Sequence, residues 1–166
     1  MDVVIRHLFI SPGHNFFGRH GHAAAENPTR EVKEIMCRAG HGVEGDRFFD
    51  YKENYAGQIT LFSWDIYRAA REKFAVPALS AGAFRRNVVV EGVDLTTLIG
   101  RRFSLGGVEF EGVAESKPCY WMNQAVGPGA EEWLRGNGGL RARILSVGAL
   151  AVGHATLSVA ASAVTS

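Results

Sequence analysis

The feature that most constrains this chain is how often its apolar runs are cut short. Val3 to Ile10 reads as a first strand and is ended by Ser11-Pro12-Gly13. Thr29 to Cys37 reads as a second, with Val32, Ile35 and Cys37 partly alternating. Gln58 to Phe62 and Val88-Val89-Val90 are short apolar strands. Arg101 to Leu105 and Val108 to Val113 face each other across Gly106-Gly107, a hairpin signal. Leu140 to Val147 puts Arg141 and Arg143 on one face and Ala142 and Ile144 on the other, and Ala149 to Val159 supplies a last strand. Helical signals are few. Ser63 is placed to cap a helix whose Trp64, Ile66, Tyr67, Ala70 and Phe74 form a core stripe, ended by Pro77. Ser80 to Phe84 and Asp94 to Ile99 read as helical turns, and Glu131 to Leu134 as a short helix before Gly136-Asn137-Gly138-Gly139. Many short strands with glycine-rich turns predict a mainly β fold, a barrel or sandwich rather than a parallel α/β sheet. Residues 1–160 form one domain on this reading and 161–166 a frayed tail.

Bulk properties narrow the function classes. Hydrophobic residues make up 46% of the 166 and charged ones 21%, enough apolar surface for a core. The net charge of +1 points to neither nucleic acid nor an anionic membrane as partner. No apolar run approaches the ~20 residues of a membrane span, and Met1 to Arg6 does not start a signal peptide. Cys37 and Cys119 are too far apart in sequence for a disulfide framework or zinc knuckle, so a cytoplasmic protein with reduced thiols is expected. Of the 18 basic residues only Lys33, Lys52, Lys73 and Lys117 are lysine; the rest are arginine, the residue preferred for forked contacts to phosphate and carboxylate.

The chemistry gathers around Glu115-Ser116-Lys117-Pro118-Cys119-Tyr120-Trp121-Met122. Pro118 lacks an N–H, so the preceding strand is expected to stop near Lys117 and present Cys119 at its mouth. A thiolate is a nucleophile and soft-metal ligand, and a cation such as Lys117 favours it if both side chains point the same way. The alternative is that Cys119 is a small buried hydrophobe; for Cys37, core packing is the expectation. Gly40 to Arg47 carries Gly40, Gly42 and Gly45, a loop whose N–H groups can approach an anion, though it lacks the Lys and Ser/Thr of a P-loop. Asp46 and Arg47 read either as an ion pair or as a turn-fixing carboxylate beside a ligand-facing arginine. Arg85 and Arg86, entering an extended segment, are expected on opposite faces, Arg85 toward a site with Asn87 and Arg86 paired with an external carboxylate. His14 to Asn27 reads as a solvated loop in which His20 and His22 lack further metal ligands; its length suits a lid or a partner-binding segment.

Six stretches in order resemble the MOSC domain family: Gly42-Val43-Glu44-Gly45-Asp46-Arg47, Gly57-Gln58-Ile59-Thr60, Phe84-Arg85-Arg86-Asn87-Val88, Gly100-Arg101-Arg102-Phe103, Pro118-Cys119 and Gly139-Leu140-Arg141-Ala142-Arg143. MOSC domains end the molybdenum cofactor sulfurases, stand alone as small proteins, and occur in the mitochondrial amidoxime-reducing component. The resemblance implies a β-barrel-like fold and a cleft for molybdopterin, the pterin dithiolene that carries molybdenum. It implies Cys119 as the metal ligand or sulfur carrier. Asp46, Arg47, Arg85, Arg86, Asn87, Lys117 and Arg141 are the residues expected to bind the cofactor. A reductase or a cysteine desulfurase is the implied partner, and the activity is reduction of N-oxygenated substrates or, alternatively, sulfur or cofactor carriage without turnover. No pyridoxal-phosphate desulfurase domain is expected within these residues.

Overall fold

The computed structural model describes residues 1–13 and 29–161. The expected His14 to Asn27 loop and most of the expected tail therefore lie outside the described residues. The chain begins with β1 (Asp2–Ile10), β2 (Arg30–Val32), β3 (Glu34–Arg38), β4 (Gly42–Val43), β5 (Ile59–Ser63) and helix α1 (Trp64–Lys73). It continues through β6 (Val88–Glu91), β7 (Arg102–Leu105), β8 (Val108–Glu115), α2 (Met122–Ala125) and α3 (Ala130–Leu134). It closes with β9 (Leu140–Ile144), β10 (Gly148–Ala151) and β11 (Gly153–Val159). Two 3-10 turns, Ala81–Phe84 and Leu95–Leu98, precede β6 and β7.

Strand alternation builds the wall of a barrel. Ile59 and Leu61 of β5, Val88 and Val90 of β6, and Leu140, Ala142 and Ile144 of β9 all enter one buried cluster. Around that cluster the strands run β11-β7-β8-β9-β5-β6-β1, and β1 pairs back onto β11 through Asp2↔Thr156 to Ile5↔Gly153. The result is a closed seven-stranded barrel, mainly antiparallel, with β5 and β6 its parallel pair. Closure removes the exposed edges that short strands would otherwise offer. β1 serves both core layers because its register against β6 shifts between Ile5 and His7. The bulge lets Val3, Ile5 and Leu8 all face the barrel interior while Phe9 turns outward.

A second apolar layer covers part of the outer wall. Phe9, Phe62 and Val89 point away from the barrel and meet Tyr67 and Ala70 of α1, Phe84, Met122, Val126, Ala130 and Leu134. Helix α1 starts where the Ser63 hydroxyl accepts the Ile66 N–H at 3.3 Å, the expected cap.

Two expected strands are each two. The Thr29 to Cys37 run breaks at Lys33: β2 pairs with β1, while β3 joins β10 and β4 in a separate three-stranded sheet. The Ala149 to Val159 run breaks at Val152 for the same reason, β10 belonging to the small sheet and β11 to the barrel. The two crossing points are bonded to each other, Val152 N–H to Lys33 C=O at 3.0 Å. The helix α2, directly after Cys119, had no counterpart in the sequence reading.

Candidate functional site

Cys119 follows β8 and is exposed, which removes the reading of it as a buried hydrophobe. Cys37 is fully buried in the barrel core, and burial pushes its thiol up to about 12. The strand carrying the chain to Cys119 ends at Glu115, two residues before the expected stop. From there backbone contacts hold the segment. Ser116 N–H donates to Gly139 C=O at 2.8 Å, and Gly138 N–H donates to Glu115 Oε2 at 3.0 Å. Gly138 has no room for a side chain: a Cβ there would stand 2.3 Å from Ser116 O and 2.6 Å from Pro118 Cδ. The glycines before β9 therefore let that loop lie directly beneath the proline-cysteine turn.

Arg86 fastens this arrangement. Its Nε donates to Gly138 C=O at 3.0 Å, Nη1 to Phe84 C=O at 3.0 Å and Nη2 to Ser116 C=O at 3.1 Å. One planar guanidinium thus joins the end of the 3-10 turn, the start of the Cys119 segment and the glycine loop. Burial pushes its pKa down to about 10, and the charges of Cys119 and Glu115 oppose that shift while Arg47 and Arg141 add to it. Arg86 thus interacts electrostatically with Cys119. Lys117, two residues before the thiol, is exposed like Cys119 itself.

Asp46 and Arg47 are both an ion pair and a turn. The buried Asp46 accepts Ser11 N–H at 2.9 Å and Phe48 N–H at 3.3 Å, and stands 3.5 Å from Arg47. Arg47 lies over the Phe48 ring at 4.6 Å and donates to Arg85 C=O at 3.3 Å. Its pKa is lowered by burial and partly restored by Asp46 and Tyr55. Arg85 donates to Thr29 Oγ1 at 2.8 Å and Gly13 C=O at 2.6 Å. Burial and the neighbouring Arg47 bring it down to about 10.

The expected geometry of Arg85 and Arg86 needs correction. Arg85 is not on extended backbone. Arg85 has φ +55°, in the left-handed region, because it closes the 3-10 turn. The two side chains do diverge, but Arg86 bonds inward to three carbonyls and not to an external carboxylate. Asn87 lies inside the framework, accepting Thr60 N–H at 3.0 Å and donating to Phe9 C=O at 3.2 Å.

Tyr55 was not anticipated. Arg141 lies over its ring at 5.3 Å, and Tyr55 packs 5.4 Å from Phe48 and 4.9 Å from Tyr51. The Gly57-Gln58 motif hinted at it, since a Cβ on Gly57 would stand 3.1 Å from both the Tyr55 ring and Arg141 Nε. Electrostatic interactions connect Arg85 with Arg47, and Arg47 and Arg141 with Arg86, which in turn interacts with Cys119. A separate cleft of about 430 Å³ runs past Asp65, Asp94, Ile99, Glu115 and Gly139 and includes none of these arginines. Its carboxylates make it unsuited to an anion.

Comparison with known proteins agrees with this architecture. The MOSC domain family model matches residues 22–156. No curated protein matches the sequence. The chain superposes on the YuaD protein from Bacillus subtilis with a TM-score of 0.72 at 21% identity, covering 96% of each chain. It is also similar to YiiM from Escherichia coli, with a TM-score of 0.66 at 18% identity over 99% of this chain and 73% of that one. YiiM from Geobacillus stearothermophilus gives 0.68 at 17% over 98% and 77%. At such identities the likeness is one of fold.

Proposed function

Because the chain belongs to the MOSC domain family, we propose that the Cys119 face takes up the molybdenum cofactor and that Cys119 supplies the one protein ligand to its metal. The observation that carries this reading is an exposed thiol in electrostatic contact with the inward-held Arg86, which is itself coupled to Arg47 and Arg141. Among the described residues no three His, Cys, Asp or Glu side chains converge as a metal cage. The donor set therefore suits a group that brings most of its own metal ligands and a negative charge, as a phosphate-bearing pterin dithiolene does. When bound, that group would supply two-electron oxygen-atom or sulfur chemistry at its metal, with a reductase as the source of electrons and an N-oxygenated compound as substrate.

The chain's own residues then divide as follows. Cys119 offers a soft thiolate ligand. Arg86 holds the segment that carries it. Asp46 fixes the loop that presents Arg47, and Arg47 and Arg141 add positive charge within electrostatic reach of Arg86. The protein produced in a host that makes the cofactor is expected to carry molybdenum and pterin near one per chain, and Cys119→Ser to lose most of the metal. A wild-type protein that stays metal- and pterin-free there would overturn the reading.

The exposure of Cys119 supports a second reading, a sulfur carrier. Its thiolate would attack the outer sulfur of a donor persulfide, forming Cys119–S–S⁻ and releasing the donor as a thiolate, with no net oxidation. Intact mass after exposure to a cysteine desulfurase and cysteine is expected to show one added sulfur, absent from Cys119→Ala.

A further inference from the structure

We propose that the cleft walled by Asp94 and Glu115 is a binding site of its own, and that it takes an alkyl polyamine, a methylene chain carrying two or more ammonium groups. Its volume of about 430 Å³ suits a small molecule. Its position is set by the fold. Strand β5, helix α1 and strand β6 form a strand-helix-strand unit in which the two strands run parallel. Ser63 ends β5, Gly92 follows β6, and both line the cleft. The cleft therefore opens at the carboxyl ends of the parallel pair, the end at which such units bind ligands.

The lining decides the class of ligand. Asp65, Asp94 and Glu115 bring negative charge, and among the described residues no lysine, arginine or histidine lines the cleft. The ion pairs of the described arginines go to Glu91, Glu44, Asp46, Glu132 and Glu111, which leaves Asp65 and Asp94 unpaired. Asp94 uses Oδ1 on the Thr96 N–H and hydroxyl, at 3.0 and 2.7 Å, and keeps Oδ2 for a ligand. Glu115 uses Oε2 on the Gly138 N–H at 3.0 Å and keeps Oε1. Asp65 stands in the first turn of α1, where the helix N-terminus takes up part of its charge, and Arg86 offsets part of the charge on Glu115. Asp94 is then the strongest contact of the three. The carboxylates do not converge: among the described residues no three acidic, His or Cys side chains lie close enough to hold a metal ion. Charges spread over a cleft suit a ligand whose own charges are spread. The remaining lining includes Ile66, Val93, Leu95 and Ile99, apolar surface on which methylenes shed water. A compact hydrated cation gains nothing from those side chains, whereas a methylene chain does.

The test titrates the full chain calorimetrically with spermidine at low salt, with n-butylamine and magnesium chloride as comparison cations. Spermidine is expected to bind at one per chain and about tenfold or more tightly than either. Asp94→Asn keeps an acceptor for Thr96 and Glu115→Gln keeps one for Gly138, so each removes charge and spares the frame. Each is expected to weaken spermidine binding about threefold to fivefold, and the double variant by about tenfold or more. Ile99→Lys, at an exposed side chain of the lining, puts a cation into the cleft without disturbing the core and is expected to weaken binding likewise. Glu53→Gln removes the same charge from an exposed residue outside the cleft and is expected to bind as wild type does. No spermidine binding by wild type, magnesium binding as tight as spermidine, or a loss in Glu53→Gln as large as in Asp94→Asn overturns the proposal. A trilysine peptide that binds more tightly than spermidine overturns it too, by making the cleft a place for basic protein segments. None of these readouts involves molybdenum or Cys119, so the cleft and the Cys119 face stand or fall separately.

Discussion

The two thiols show how environment separates identical side chains. Cys119 is exposed on a turn, whereas Cys37 packs in the barrel core with its thiol pushed up to about 12 from an ordinary 9.0. Iodoacetamide at pH 8 is therefore expected to add one label to the native protein, on Cys119, and a second only after unfolding, as read by intact mass and peptide mapping. A pH effect follows with a definite sign. The native state keeps the Cys37 proton to a higher pH than the unfolded chain does. Stability is thus fully present below about pH 9 and is lost as pH rises toward about 12, by roughly 1.4 kcal/mol per unit at the steepest. Cys37→Ala should show a shallower decline in denaturant midpoint over that window than wild type. An identical decline would mean that burial of Cys37 is not its source.

At the scale of elements, the proline-cysteine turn depends on the glycine loop that precedes β9. Gly138→Ala would place a methyl 2.3 Å from Ser116 O and 2.8 Å from Pro118 N, both backbone atoms that cannot rotate away. Overpacking of this kind costs about 1–3 kcal/mol. The expected result is a lower melting temperature together with altered reactivity of Cys119, since the turn itself must shift. Ser63→Ala provides the contrast. It removes the cap of α1, at about 1 kcal/mol, and should leave Cys119 labelling unchanged. Equal labelling rates for Gly138→Ala and wild type would separate the glycine loop from the site.

For the molecule as a whole, the pairing of β1 with β11 joins the two ends of the chain and closes the barrel. Leu157 in β11 is fully buried, and its N–H donates to Met1 C=O at 2.9 Å. Leu157→Ala should cost about 2–5 kcal/mol by loss of burial and the cavity left behind. Ile99→Ala, at a side chain 40% exposed, should change stability by no more than about 0.5 kcal/mol. Denaturant unfolding of both variants checks the pair, and similar midpoints would show that closure is not where the stability lies. Among the described residues no helix is long and apolar enough to cross a membrane.

Much of this was legible in local chemistry. Alternation in β5, β6 and β9, the Ser63 cap, the hairpin at Gly106-Gly107 and the ordered family motifs depend on neighbours within a few residues, so the sequence carried the mainly β class, most strands and the MOSC assignment. It also singled out Cys119, because a thiol behind a proline is a local feature. Strand breaks at Lys33 and Val152 were invisible, since each run stays apolar while its partners change from one sheet to the other. The work of the arginines was likewise decided by tertiary structure. Arg85, Arg86 and Arg141 are the same residue type on paper. Whether a guanidinium is taken up by carbonyls or left on an aromatic ring depends on which distant segments meet it: Gly138 and Ser116 for Arg86, Gly13 and Thr29 for Arg85, Tyr55 and Gly57 for Arg141. Hydrogen-bond donors are allotted by distance in the folded barrel, and spacing along the chain does not encode that distance.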